Sequence, residues 1–404
     1  MCEDVRGTYC RGTASDTEDI LDFANMVFSM SHGGINFATL LPKAYARERC
    51  SILTHHLIRE SGKIRALTDT YPLVLRQTDS ELRAAYIGTV SVHPGSRGKG
   101  YMTVLMEAVE ADAQARQCDL LILDGRRQRY RHYGFEQAGM RCSFTVRLKD
   151  VCEYCSALHE NGGGDCAYRF VLMEPDMEGP GDILDGMYRL YARRNVTART
   201  REDFYWCLQS MSADTYAVFK GEMLSGYINI SEDESELFEL ELDGSVSLAE
   251  VLRDFMRELD ILELIIAAGA DEIAKTECLD RLCGNSRIGM SHQIKILNYP
   301  RVLTFLLKWK QKYSSLADGE FVIGVTGGEQ PKECSHYRLR VTGAEVTVCE
   351  TDAPADVTLE GPELVRVLTT GNFYLMSQRP ESPLKNAPAG WFPLPFFLPN
   401  ADTF

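Results

Sequence analysis

Thr89-Val90-Ser91-Val92-His93-Pro94-Gly95-Ser96-Arg97-Gly98-Lys99-Gly100-Tyr101-Met102 is the stretch that decides the fold. Thr89–Val92 alternates with period two, so Val90 and Val92 share one face of a strand. The residues that follow, HPGSRGKG, are too rich in glycine for regular structure. From Met102 to Gln117 the spacing turns helical, with Leu105, Ala108, Val109 and Ala113 on one side. Leu120–Leu123 is a short, wholly apolar strand. Strand, glycine-rich turn, helix and strand make one βαβ unit. Upstream, His55–Glu60 and Lys63–Thr68 read as a strand pair, and Tyr71–Arg76 and Leu82–Val92 as further strands.

A glycine-rich turn that opens a helix suits an anion. The first helical N–H groups lack intrahelical acceptors, and the helix dipole places partial positive charge there. Gly98 and Gly100 have no Cβ, so the backbone can bend tightly and a pyrophosphate can approach it. By itself the turn reads equally well as a solvated connection. It is not a Walker loop, since no Gly-Lys-Ser/Thr follows a four-residue spacer, and it lacks the G-x-G-x-x-G spacing of a dinucleotide site.

VSVHPGSRGKGYMTVLM resembles the acetyl-coenzyme A motif of the GNAT acyltransferase superfamily, Val-x-Val-x-Pro-x-x-Arg-Gly-x-Gly followed by a small residue. Met102 departs from the Gly or Ala usual in the family. About 30 residues on, RYRHYGFEQAG resembles the family's Tyr-x-x-x-Gly-Phe segment, here Tyr130, Gly134 and Phe135. The resemblance implies that acetyl-CoA is the cosubstrate, with no metal. Backbone groups of Val90, Ser91 and Val92 would pair with the pantetheine arm. The amides of Gly98, Lys99, Gly100, Tyr101, Met102 and Thr103 would hold the pyrophosphate. Arg97, in preference to Lys99, would touch phosphate, and Gly125 and Arg126 complete the cofactor-binding set. Tyr130 takes the position of the general acid: a phenol with pKa near ~10 suits a thiolate of similar basicity. Tyr133 is the competing phenol, at a packing position of the family. No local base is evident. No His–carboxylate pair stands out in the first domain, and His32, His93 and His132 read as surface or hydrogen-bonded histidines.

Downstream, TYAVFKGEMLSGYINI, SELFELELD and SLAEVLRDFMREL give a hairpin, a strand and a helix, repeating the order of the first domain. Between strand and helix lies Asp243-Gly244-Ser245-Val246-Ser247 in place of Arg-Gly-x-Gly, next to Glu239 and Glu241. Negative charge there disfavours a pyrophosphate, so this repeat reads as degenerate. The last stretch, with a helix over Tyr299–Tyr313, strands Glu320–Val325, His336–Val341 and Glu345–Glu350, and ADVTLEGPELVRVLTTG, resembles sterol-carrier-protein domains. The expected fold class is therefore α/β (α+β). Two tandem GNAT mixed-sheet domains, 1–148 (catalytic) and 149–297 (degenerate), precede a sterol-carrier-like domain at 298–404.

That three-part layout resembles the enhanced-intracellular-survival acetyltransferases along the whole chain. The likeness implies N-acetylation of several amines of an aminoglycoside, with protein lysine as an alternative acceptor, and a homo-oligomer, a hexamer. It also implies that the C-terminal carboxylate, here on Phe404, enters the first active site as general base. An α-carboxylate has an ordinary pKa near ~3.5, so this requires desolvation or a mediating water. Pro393, Pro395 and Pro399 stiffen the tail, Phe392, Phe396 and Phe397 anchor it, and Asp402 offers negative charge to a polyamine.

Composition is that of a soluble globular chain. The 404 residues are 45% hydrophobic and 25% charged, and 43 Lys+Arg against 58 Asp+Glu give −15. That charge disfavours a nucleic-acid partner and favours a cationic amine. No apolar run reaches membrane-spanning length, so no membrane partner is expected. The start, MCEDVRGTYC, lacks an apolar signal stretch, and the 13 scattered Cys read as reduced thiols, both pointing to the cytoplasm. Cys152, Cys155 and Cys166, with His159, lack a regular zinc spacing, and the cysteines read as ordinary thiols. A lipid-binding protein with a vestigial GNAT loop is the remaining alternative; intact Arg97, Gly98, Gly100 and Tyr130 speak against it.

Overall fold

Alternating apolar and polar residues build three mixed sheets in the computed structural model. The structure describes residues 7–46, 54–77, 79–158, 168–173, 181–193, 196–327, 334–370 and 382–404. In chain order the strands are β1 (Thr8–Arg11), β2 (His56–Glu60), β3 (Lys63–Gln77), β4 (Ser80–Val92), β5 (Leu120–Leu123), β6 (Glu136–Ala138), β7 (Arg141–Arg147), β8 (Tyr168–Leu172) and β9 (Asp214–Lys220). Then come β10 (Met223–Ile230), β11 (Glu236–Leu242), β12 (Glu263–Gly269), β13 (Cys283–Gly289), β14 (His292–Ile296), β15 (Gly319–Thr326), β16 (Cys334–Thr342), β17 (Glu345–Glu350) and β18 (Val357–Glu360).

The first sheet has the order β1-β2-β3-β4-β5-β14-β6, the second β13-β7-β12-β11-β10-β9-β8 and the third β17-β16-β15-β18. Read from opposite ends, the first two share one plan. Six consecutive strands pair in sequence, except that a seventh, β14 or β7, is inserted between the fifth and the sixth. In both, only the fourth and fifth strands are parallel, β4 with β5 and β11 with β12. A helix joins them each time, Tyr101–Ala115 or Leu248–Glu258. This is the mixed α+β architecture expected from the sequence.

The insertion was not anticipated. β7 follows the first six strands in the chain but lies between β12 and β13, whereas β14, more than 150 residues after β6 in the chain, lies between β5 and β6. The chain accordingly forms two compact units, residues 1–139, 292–394 and 404, and residues 140–291 and 395–403. β5 is LLIL with all four residues buried, so it needs a partner on both sides; β14 pairs with it from Gln293↔Leu123 to Ile296↔Leu120.

β3 also runs unbroken through Pro72, where two strands were expected. Its pairing with β2 ends at Thr68, so Pro72 falls where β3 has β4 alone as neighbour among the described residues, and such an edge tolerates a missing N–H. In the third sheet, helix Tyr299–Gln311 packs on β16 and β17, and helix Gly361–Thr369 on β15 and β18. Among the described residues no helix is long and apolar enough to cross a membrane.

Candidate active site

β4 pairs with β3 along its length, from Gln77↔Ser80 to Ala66↔Val92. With β5 it pairs only over Ala84–Ile87. Past Ile87 the two parallel strands share no further register pair among the described residues, so Gly88–Val92 border an opening in the sheet. A β-bulge lies at its start: the register passes from Asp69↔Gly88 to Leu67↔Ser91, and Thr89 has φ +47°. A β-branched residue in the left-handed region is strained, and the strain is held in place from two sides. Tyr45 Oη and Thr89 Oγ1 are 2.8 Å apart, and Thr68 Oγ1 donates to the Gly88 carbonyl at 3.1 Å. The bulge re-aims Val90, Ser91 and Val92. Among the described residues the buried Ser91 hydroxyl has no hydrogen-bond partner.

The turn after β4 begins with His93, whose Nδ1 accepts from the Gly95 N–H at 3.1 Å. Gly98 and Gly100 have φ +81° and +78°, and a Cβ on either would meet nothing within 4 Å. Glycine is thus needed for the backbone conformation, and the space before the turn is open. Gly100 caps the helix Tyr101–Ala115 without a side-chain cap hydrogen bond, which leaves the first helical N–H groups open to an anion. Lys99 and Tyr101 both turn to Glu60, the Lys99 Nζ at 2.7 Å, and Lys99 and then Tyr101 hold the Glu60 carboxyl below its usual range. Arg97 is exposed and makes no ion pair among the described residues. Thr103 Oγ1 lies 3.3 Å from Tyr133 Oη, which ties the competing phenol to the helix; Met102 is half-buried beside it in the chain.

Tyr130 ends the short helix Arg127–Tyr130 with its ring buried, edge-on to Phe135 at 6.4 Å. Gly125 lies over that ring so closely that a Cβ would collide with it. The Gly125 carbonyl accepts from Gln293 Nε2, on the inserted β14, at 2.7 Å. Arg126 is exposed. Burial pushes the Tyr130 phenol up, with Arg129 pulling the other way, so the group is protonated at neutral pH and able to donate.

Phe404 is seated in this same unit. Its ring stacks on Tyr71 at 4.1 Å and 17°, and meets Tyr86 at 5.3 Å. Its Cβ is 3.5 Å from where a Cβ on Gly88 would stand, at the point where β4 leaves β5. Lys43 Nζ sits 4.1 Å from the Phe404 ring centroid. The Phe404 backbone hydrogen-bonds the Tyr86 hydroxyl, which donates to Asp124 Oδ2 at 3.0 Å. His292 Nε2 is 3.3 Å from the same oxygen. Burial and then the Asp124 charge push the Tyr86 phenol up, and the Tyr130 phenol adds to this. Lys43, Tyr86, Asp124 and His292 thus join the site, and nothing in their spacing announced it.

A buried His–carboxylate pair lies behind this surface: His55 Nδ1 is 3.6 Å from Asp69 Oδ1, both side chains fully buried.

In the second unit β11 and β12 pair only at Glu236 and Leu237 with Ile265 and Ile266. The opening beyond them holds a cavity of about 180 Å³, lined by Phe238, Glu239, Glu241 and Lys275 and by the tail residues Phe397 and Pro399. Asp402 is buried there. It accepts from Arg199 Nε and Thr197 Oγ1, each at 2.7 Å, and Arg199 also donates to Glu239 at 2.7 Å. Its charge is compensated in the interior, so Asp402 does not offer it to a polyamine as expected. The Asp243–Ser247 turn satisfies itself, with Asp243 Oδ1 accepting from the Ser245 N–H at 2.8 Å. Cys152 and Cys155 lie on helix Leu148–Leu158, whereas His159 and Cys166 fall outside the described residues. Among the described residues no group of three His, Cys, Asp or Glu could hold a metal.

Residues 8–138 match the family model of the acetyltransferase (GNAT) domain. Similar solved structures include a GCN5-related N-acetyltransferase from Kribbella flavida, 16% identical, covering 92% of each chain with a TM-score of 0.65. Another, from Anabaena variabilis, is 15% identical over 90% of each chain, with a TM-score of 0.63. Eis1 from Mycobacterium abscessus is 16% identical and covers 98% of this chain and 100% of its own, with a TM-score of 0.64. Comparison with curated protein sequences finds no match. At these identities the structures establish the fold. The domain match at residues 8–138 identifies an acetyltransferase (GNAT) domain there, and with it an acyltransferase.

Proposed function

We propose that the protein transfers the acetyl group of acetyl-CoA to a primary amine of a polycationic small molecule, of which an aminoglycoside is the model. The observation that carries this reading is the seat of Phe404 on Tyr71 and Tyr86, at the mouth of the opening beside β4. The unpaired edge at Val90–Val92 suits a pantetheine arm, and the uncapped helix end at Gly100 with Arg97 beside it suits a diphosphate. A formal charge of −15 favours a cationic acceptor. The full-length likeness in fold to Eis1 supports the same choice.

The ammonium first loses a proton to the Phe404 carboxylate, which passes it to solvent. The neutral nitrogen attacks the thioester carbonyl, forming the C–N bond. As the intermediate collapses, the C–S bond breaks, the Tyr130 hydroxyl gives its proton to sulfur, and nitrogen loses its second proton through solvent to the Tyr130 phenolate, which restores the hydroxyl. The buried phenol is suited to this, because its raised pKa keeps the proton in place until a thiolate develops.

Thiol release from acetyl-CoA with an aminoglycoside or polyamine, set against a lysine peptide, tests the acceptor class. Tyr130→Phe is expected to lower kcat by about 10²–10⁴-fold, with acetyl-CoA affinity unchanged in calorimetry. A residue appended after Phe404 is expected to suppress turnover as well. Unchanged turnover in either protein removes that group from the mechanism.

A further inference from the structure

Beneath Phe404 lies a buried polar box that the mechanism above does not use. Asp69 and His55 are both fully buried. Asp69 Oδ1 accepts from the Thr70 N–H at 2.7 Å and lies 3.6 Å from His55 Nδ1, while its Oδ2 makes no hydrogen bond of normal geometry among the described residues. The other face of the imidazole is fixed: His55 Nε2 and Tyr45 Oη are 3.1 Å apart, and Tyr45 Oη meets Thr89 Oγ1 on the β4 bulge. Tyr71 closes the box. Its ring stands edge-on to Tyr45 at 6.5 Å, and its buried hydroxyl interacts with the Asp69 carboxylate and the Tyr45 hydroxyl. Burial, then Asp69, then Tyr45 push that phenol up.

Buried polar groups stabilise a fold only when their hydrogen bonds are well made. Among the described residues His55 Nδ1 and Asp69 Oδ2 make none of normal geometry. The box does have one distinctive neighbour: the free face of the Tyr71 ring is the platform on which Phe404 stacks.

We propose that Asp69 is a positioning residue of acetyl transfer: held by the Thr70 N–H and facing His55, it sets the Tyr71 ring, and the Tyr71 ring sets the terminal carboxylate of Phe404. The inference rests on the reading of Phe404 as the base. A shift of about 1 Å in a reacting group costs up to ~10²-fold in rate, so a platform of this kind is felt in kcat.

A double-mutant cycle tests it, with Asp69→Asn and deletion of Phe404 made singly and together in the full chain, and kcat, acetyl-CoA affinity and thermal unfolding measured for each. Asp69→Asn is expected to lower kcat about tenfold or more with acetyl-CoA affinity kept, and to have no further effect once Phe404 is gone. Tyr71→Phe, which keeps the ring and removes only the phenol, is expected to follow Asp69→Asn and serves in its place should that variant not fold. An equal loss from Asp69→Asn with and without Phe404, or full kcat in Tyr71→Phe, overturns the proposal while leaving Phe404 as the base. Full activity after deletion of Phe404 alone instead overturns the reading on which it rests.

Discussion

The Tyr130 ring occupies the place that one glycine leaves for it. Gly125 crosses the phenol ring where any Cβ would strike it, and Gln293 holds the Gly125 carbonyl. Gly125→Ala is therefore expected to push the ring aside and lower kcat by about tenfold or more, while calorimetry shows acetyl-CoA still bound. Unchanged kcat in a well-folded Gly125→Ala protein would show that the ring has room to spare. Charge at the single-residue scale matters most in the second unit, where Arg199 answers both Asp402 and Glu239 in the interior. Arg199→Met leaves two buried carboxylates without their cation, which costs about 3–5 kcal/mol. Urea denaturation followed by tryptophan fluorescence is expected to show a midpoint lowered accordingly.

At the scale of the element, the edge formed by β1 and β2 carries a pH dependence. His56 on β2 is fully buried, with Arg11 Nη1 donating to its Nε2 at 2.7 Å and Tyr9 Oη 3.0 Å from its Nδ1. Burial, reinforced by the Arg11 charge, lowers its pKa to about 3 from the ordinary 6.5. Between those values the unfolded chain binds a proton that the folded one refuses. The stability from neutral His56 is thus complete above pH 6.5 and is lost as pH falls toward 3, by at most about 1.4 kcal/mol per pH unit. His56→Gln is expected to flatten the stability profile across that window; an unaltered profile would assign the acid sensitivity to other groups. The bulge in β4 works at the same scale. Thr89 in the left-handed region is an unfavourable choice for local structure, and it stands just past the point where β4 leaves β5.

At the scale of the whole molecule, each of the two seven-stranded sheets takes its inserted strand from the other half of the sequence, β14 in the first and β7 in the second. A fragment of residues 1–140 lacks β14, which leaves the wholly buried β5 with an open edge. Such a fragment is expected to show no cooperative thermal unfolding and to aggregate, whereas the full chain unfolds cooperatively; a sharp transition in the fragment would mean that β14 is dispensable. Much was determined by the sequence alone. The strand–turn–helix around Gly98 and Gly100, the hairpin at Lys220–Gly221–Glu222, and the helices and strands from Tyr299 to Thr369 all rest on short-range periodicity and on the conformations open to glycine. Only the tertiary structure decided which strands exchange, that Asp402 is compensated inside rather than offered to a substrate, and that His55 meets Asp69 and His292 meets Asp124. Periodicity reports which face of an element is buried, but not which distant element covers it. Pairings across up to about 200 residues are chosen by the packing of the whole chain, and leave no mark in the spacing of either partner.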